Sequence, residues 1–480
     1  MLISLNGVRL ASTRGPVLNI QSGKDVSILL SDGTESYFQD ASEYSNLVEG
    51  EDSKGCIFSE KKLIFSGSGK LSVSARCKHA ICADDAILVQ DGTIAVTKAV
   101  EDGIHAKDFY CQEGGSVTVS CSGFKCDAID AGTNLIIGGG TLKVTSSGVA
   151  GRGLKCDGGV IVRGGDLNLL TTGSAYYEAS ENDTKSATCI KTDGDVRLVG
   201  GTIVCKSTGV GGKCINCGSF YLGGSCRLNA RTEGGLYTYN SQMSRPKAIK
   251  ALDRATIDGG ELEIATLGEQ GEGLESKAWV VINDGTLEID TKDDGINAEE
   301  SVTFNGGRTY IRSVSHDGID SNFERPNSIV FNDGIVVSHS AFGREEAFDA
   351  ANHAYLSFNG GMVFGTGGLE QAVADPICSQ STLLVSTAIA SGWNCILDES
   401  GSMLVGFNVP MWSSIGYYLV SMPMAPGKKY SFVRADYPPV GTVSSFGDHC
   451  VFGGTVSGIL PLFDFEGSGG YQYLIRHSRY

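Results

Sequence analysis

Apolar positions along this chain recur on two scales. Within short stretches they alternate with polar residues, as at Leu142/Val144, Leu167/Leu169, Leu262/Ile264 and Leu287/Ile289, the period of two that a β-strand requires. Over longer distances one short unit keeps returning. Asp102-Gly-Ile-His-Ala, Asp294-Gly-Ile-Asn-Ala and Asp317-Gly-Ile-Asp-Ser are each followed by a strand, a glycine turn and an alternating strand. Counting from the small residue before the Ile or Leu, units start at Gly55, Ala80, Gly103, Ala128, Gly153, Cys189, Cys214, Ala248, Gly273, Gly295, Gly318 and Ala347. Successive starts lie 25, 23, 25, 25, 36, 25, 34, 25, 22, 23 and 29 residues apart. A β-type repeat of this period predicts an all-β, right-handed, single-stranded parallel β-helix of about twelve coils.

The register sorts side chains by direction. Ile104, Ile129, Leu154, Ile190, Ile215, Ile249, Leu274, Ile296 and Ile319 form one apolar column. Two residues on, the column is small: Ala83, Ala106, Ala131, Cys156, Thr192, Cys217, Ala251, Ser276, Ala298, Ser321 and Ala350. Both are predicted to face inward. Residues 1–54, with runs such as Val26-Ser-Ile-Leu-Leu, are expected to form N-terminal cap strands. Residues 55–369 carry the repeats, and 370–480, where the repeat fades, are expected to form a small C-terminal β region.

Composition narrows the function. The net charge of −17 disfavours nucleic acid, whose phosphates an acidic chain repels. No apolar run is long enough for a transmembrane span. No signal peptide is evident, since Met1-Leu2-Ile3-Ser4 leads directly into polar sequence. The 15 cysteines are an odd number, and those in the inward columns read as small buried fillers rather than a disulfide framework.

Two outward columns carry the candidate chemistry. The column between the inward ones runs His105, Asp130, Lys155, Lys191, Asn216, Lys250, Glu275, Asn297, Asp320, Asp349. The column just before each start runs Asp102, Asp127, Arg152, Thr188, Lys213, Lys247, Glu272, Asp294, Asp317, Glu346. One edge is therefore acidic, then basic, then acidic again. Carboxylates about 5 Å apart repel unless neutralised, and hard cations with oxygen ligands do this best. Calcium is expected at Asp294, Asp317 and Asp320 with Asp293 and Asn297, and at a second site of Asp102, Asp127 and Asp130. The alternative is a solvated acidic edge that keeps a long solenoid soluble.

The basic coils coincide with the two long repeats. Their insertions, about 171–187 and 232–247, carry Tyr176, Tyr177, Tyr237 and Tyr239. Insertions at one corner project from one face, and flat tyrosine rings suit sugar stacking while lysines suit uronate carboxylates. Tyr176, Tyr177, Tyr237, Tyr239, Lys155, Lys191 and Lys250 are the expected carbohydrate-binding residues, with the two loops roughly 10 Å apart along the axis.

The repeats Asp293-Asp294-Gly295-Ile296-Asn297-Ala298 and Glu101-Asp102-Gly103-Ile104-His105-Ala106 resemble those of secreted parallel β-helix proteins that bind cellulose and acidic sugars such as polygalacturonate. That resemblance implies a pectate-lyase-like fold, calcium binding and an extracellular or cell-surface setting. Arg152, Thr188, Lys213 and Lys247 depart from it by replacing the acid before the Gly. The expected function is binding of a plant-type or acidic polysaccharide or oligosaccharide by a monomer with calcium. No catalytic residue stands out. The alternatives are a pectate-lyase-like polysaccharide lyase and a structural cell-surface or adhesin β-helix.

Overall fold

The computed structural model describes residues 1–45, 48–369, 374–441 and 444–476. Residues 370–373, the start of the expected C-terminal region, lie outside the described residues. The chain divides into two units, Met1–Asp253 with Ala265–Gly271, and Arg254–Ile264 with Glu272–Tyr480. Among the described residues the only helical segment is the 3-10 turn His353–Tyr355.

In the first unit one coil consists of Asp127–Ala131, Leu135–Ile137 and Thr141–Ser146. Each strand pairs in parallel with its counterpart one repeat later, Arg152–Cys156, Val160–Val162 and Asp166–Thr171. The result is a parallel β-solenoid. Ile81, Ile104, Ile129, Leu154, Ile190, Ile215 and Ile249 are successive register partners, and all are buried. Each such side chain contributes about 1.5–3 kcal/mol when taken fully out of water. Ala106, Ala131 and Cys156 form the small column beside them, also buried. Corner glycines stack as well. Gly140 has φ +79°, and a Cβ there would sit 2.4 Å from the Gly115 carbonyl oxygen, so no other residue fits.

The two units together hold about 15 solenoid turns, more than the twelve expected. Strands ahead of Gly55 account for part of the difference. Leu2–Leu5 pairs in parallel with Val26–Leu30, which pairs in turn with Leu63–Gly67. These residues ladder with the repeats although they lack the Gly-Ile motif.

In the second unit Leu274, Ile296, Ile319 and Phe348 are successive partners in the buried column. An asparagine ladder runs along the exterior: Asn359 donates to Asn332 (2.9 Å), Asn332 to Asn305 (2.8 Å), and Asn305 to Asn283 (2.8 Å). On one face the parallel ladder ends where Met362–Gly367 pairs antiparallel with Ser413–Ser421, while Leu356–Phe358 pairs onward in parallel with Ile377–Cys378. A six-stranded sheet follows, in which Gly392–Leu397 lies antiparallel to both Met403–Val409 and Lys429–Ala435. Its core includes Phe407, Phe432 and Phe463.

Both insertions fold as antiparallel hairpins on the first unit, Tyr176–Glu178 with Asp183–Lys185 and Tyr237–Tyr239 with Gln242–Ser244. All 15 cysteines are free thiols, and most are buried.

Candidate functional site

Strand register brings the basic coils into a groove on the first unit. Lys155 pairs with Lys191, which pairs with Asn216, which pairs with Lys250, so these outward side chains follow one another coil by coil. A groove of about 500 Å³ opens over part of this column. Arg152, Lys191 and Lys250 line it, with Asp183 and Lys185 from the first hairpin and Lys125 also on its lining. Lys191 Nζ lies 2.7 Å from Asp193 Oδ1 and donates to the Thr192 carbonyl at 3.2 Å. Lys155 does not line the groove. It sits on Asp130 (2.9 Å) and Asp157 (3.4 Å).

The tyrosines are arranged differently from expectation. The two hairpins meet rather than standing roughly 10 Å apart with sugar rings between them. Tyr177 and Tyr239 have ring centroids 5.0 Å apart at 34°, and Thr184 Oγ1 donates to the Met243 carbonyl at 3.1 Å. Tyr177 Oη donates to Asn182 Oδ1 at 2.9 Å. Tyr176 packs edge-on against Phe124 at 4.9 Å, with the Lys125 ammonium 5.4 Å from both rings. Phe124, 59% exposed, is an aromatic that sequence reasoning missed because it lies outside the insertions. Tyr237 is half-buried in its hairpin.

In the acidic coils of the first unit the carboxylates already have cations. Arg152 forms a forked pair with Asp127, Nε to Oδ1 at 2.6 Å and the terminal nitrogen to Oδ2 at 2.8 Å. Asp130 is 2.9 Å from both Lys155 Nζ and His105 Nδ1. Burial alone would raise the Asp130 carboxyl, but His105 and Lys155 hold it below the usual carboxylate range. Asp127 is pushed up to about 7 by burial, against the pull of Arg152. This donor set fits calcium poorly, because two of its three carboxylates are occupied by fixed cations.

The acidic coils of the second unit differ. Asn297 Nδ2 donates to Asp294 Oδ2 at 3.0 Å and to Asp320 Oδ2 at 3.2 Å, joining the two carboxylates across one coil step. The Asp317 backbone N–H donates to Asp294 Oδ1 (3.2 Å), and the Glu346 N–H donates to Asp317 Oδ1 (2.5 Å). Asp293 and Asp294 are buried neighbours, with His316 Nδ1 3.4 Å from Asp293 Oδ1. Burial, reinforced by neighbouring carboxylates, raises Asp294 to about 7, Asp317 to about 9 and Asp320 to about 8. Buried carboxylates whose charge is so strongly disfavoured, all offering oxygen, fit a hard divalent cation.

Stacked parallel coils bearing a groove of charged side chains define a parallel β-solenoid with a charged surface groove. The chain belongs to the family of carbohydrate-binding domain-containing proteins, whose model matches residues 1–234 and 229–318. A carbohydrate-binding domain-containing protein of Acetivibrio thermocellus is 29% identical over 97 residues, 20% of this chain. The match spans only 34% of that relative's length. A polysaccharide lyase-like protein from C. thermocellum, solved as a gadolinium derivative, overlaps 42% of this chain and 77% of its own. Its identity is 22% and its TM-score 0.30, too loose an overlap to carry an argument.

Proposed function

We propose that this chain is a carbohydrate-binding protein that grips an acidic polysaccharide in the groove of the first unit and holds calcium in the acidic coils of the second. The carrying observation is the groove itself, where Arg152, Lys191 and Lys250 share one lining. Cations on three of four successive coils suit the carboxylates of a uronate polymer, and the tyrosine hairpins beside them offer apolar faces to sugar rings.

Binding rather than cleavage fits the basic column. Lys155, the lysine nearest the acidic coils, is held charged by Asp130 against its burial, which makes it a poor proton acceptor. For calcium, the second unit supplies Asp294, Asp317, Asp320 and Asn297, with Asp293 beside them. A bound ion would neutralise their mutual repulsion. An extracellular or cell-surface setting, where such polymers occur, is consistent with thiols that are mostly buried away from oxidants.

Calorimetric titration of oligogalacturonate into the full chain tests the groove. Replacing Lys191 and Lys250 together by Ala should weaken binding at least tenfold with little change in melting temperature. Wild-type affinity in that variant would remove the groove from the reading.

A further inference from the structure

We infer that His79, Asp102 and His105 form a site for a borderline transition-metal ion such as zinc, separate from any all-oxygen calcium site. The residues come from successive coils. Ile81 and Ile104 are register partners, which sets His79 opposite Asp102. The donor atoms of His79, Asp102 and His105 all lie within 4.8 Å of one another. Asp102 Oδ2 is 3.4 Å from His79 Nδ1 and 3.5 Å from His105 Nδ1. Tetrahedral zinc with donors at about 2.0–2.1 Å keeps its ligand atoms about 3.3–3.4 Å apart, so these two edges are nearly at length.

Three further observations point to an ion. The two imidazoles are stacked, centroids 4.7 Å apart and planes at 16°, and each presents an edge to Asp102. His105 Nδ1 is fully buried and makes no hydrogen bond of good geometry, although Asp130 Oδ2 lies 2.9 Å away. Finally, three carboxylates touch the rings: Glu101 at His79 (3.2 Å), Asp102 at both, and Asp130 at His105. The fixed cation bonded to this group is Lys155, on Asp130. Carboxylates thus outnumber the fixed cation around these rings, an imbalance that a divalent ion reduces.

The donor chemistry selects the ion. Imidazole nitrogen suits zinc, nickel, cobalt or copper, whereas calcium and magnesium prefer oxygen throughout. His79 Nδ1 accepts the Asp102 backbone N–H at 3.1 Å, so ligation there exchanges one bond for another. His105 Nδ1 would exchange its 2.9 Å ion pair with Asp130 Oδ2 for the metal ion. Asp130 Oδ2 or water completes the coordination.

The test uses the full chain, stripped with chelator and titrated with cobalt(II) in millimolar calcium, so that oxygen sites are filled. One cobalt per chain should bind with the visible absorption of nitrogen ligation, and zinc should displace it. His105→Ala and His79→Ala should each weaken binding at least tenfold, while His316→Ala leaves it intact. Circular dichroism verifies folding, and His105→Gln and His79→Phe serve as replacements if an alanine variant fails to fold. Unchanged affinity in folded His105 and His79 variants, or loss of the signal in His316→Ala alone, overturns the assignment. Neither result bears on sugar binding in the groove.

Discussion

The Tyr177 ring rests against the Tyr239 ring, 5.0 Å between centroids, so each insertion is held in part by the other. An aromatic pair of this kind contributes about 0.5–1.5 kcal/mol beyond its buried area. A double-mutant cycle of Tyr177→Ala and Tyr239→Ala, read by oligogalacturonate affinity, should show coupling of about that size. Strict additivity would mean the hairpins act independently.

Calcium should stabilise the second unit. With a dissociation constant of about 10 μM, 1 mM calcium adds about 2.7 kcal/mol by mass action. Asp320→Asn should abolish that gain. In chelator the same variant should melt higher than wild type, because it removes a half-buried carboxyl whose charge is disfavoured by desolvation, reinforced by Asp294 and Asp349. Thermal melts of both proteins with calcium and with chelator give the four values needed.

Arg152 is expected to be structural as well as part of the groove. Arg152→Ala removes the forked pair that draws the buried Asp127 carboxyl down, so that carboxyl should take up a proton at neutral pH, and the lost bonds should cost about 1–3 kcal/mol in denaturant unfolding. Asp127→Asn combined with Arg152→Ala should recover part of that loss at higher pH, where the lone carboxyl of the single variant would otherwise have to ionise.

Acid should weaken the second unit through His339. This ring is fully buried, with Nδ1 2.7 Å from Thr366 Oγ1, and burial lowers its pKa from 6.5 to about 3. The folded chain therefore binds fewer protons than the unfolded chain between those values. The contribution is fully present above pH 6.5 and is lost as pH falls toward 3, by up to about 1.4 kcal/mol per pH unit. His339→Gln should flatten that part of the stability profile measured by urea unfolding.

The inward columns were legible in the sequence because they obey one offset: Ile104, Ile129 and Leu154 recur at fixed distance from a glycine turn, and backbone pairing enforces the spacing. The leading strands were harder. Val26–Leu30 alternates correctly but lacks the Gly-Ile unit, so its place in the ladder shows only in the pairing. The Asp127–Arg152 pair was readable in principle, since the two adjoin in one outward column with opposite charge. His79 stands in the same column, but its coil lacks the Asp-Gly motif that marks the others, so the repeat pattern does not single it out. The meeting of Tyr177 and Tyr239 could not be read at all, because an insertion's length says nothing of its lean.

The antiparallel pairing of Ser413–Ser421 on Met362–Gly367 has a consequence for assembly. A parallel ladder is a template that another chain could extend, strand on strand, into a filament. Here the strand that closes that edge runs the opposite way and belongs to the same chain, and its other side is taken by Thr382–Ile389. That edge is covered by a later segment of the same chain, so deleting residues from 374 onward should expose it and raise end-to-end association, read by light scattering.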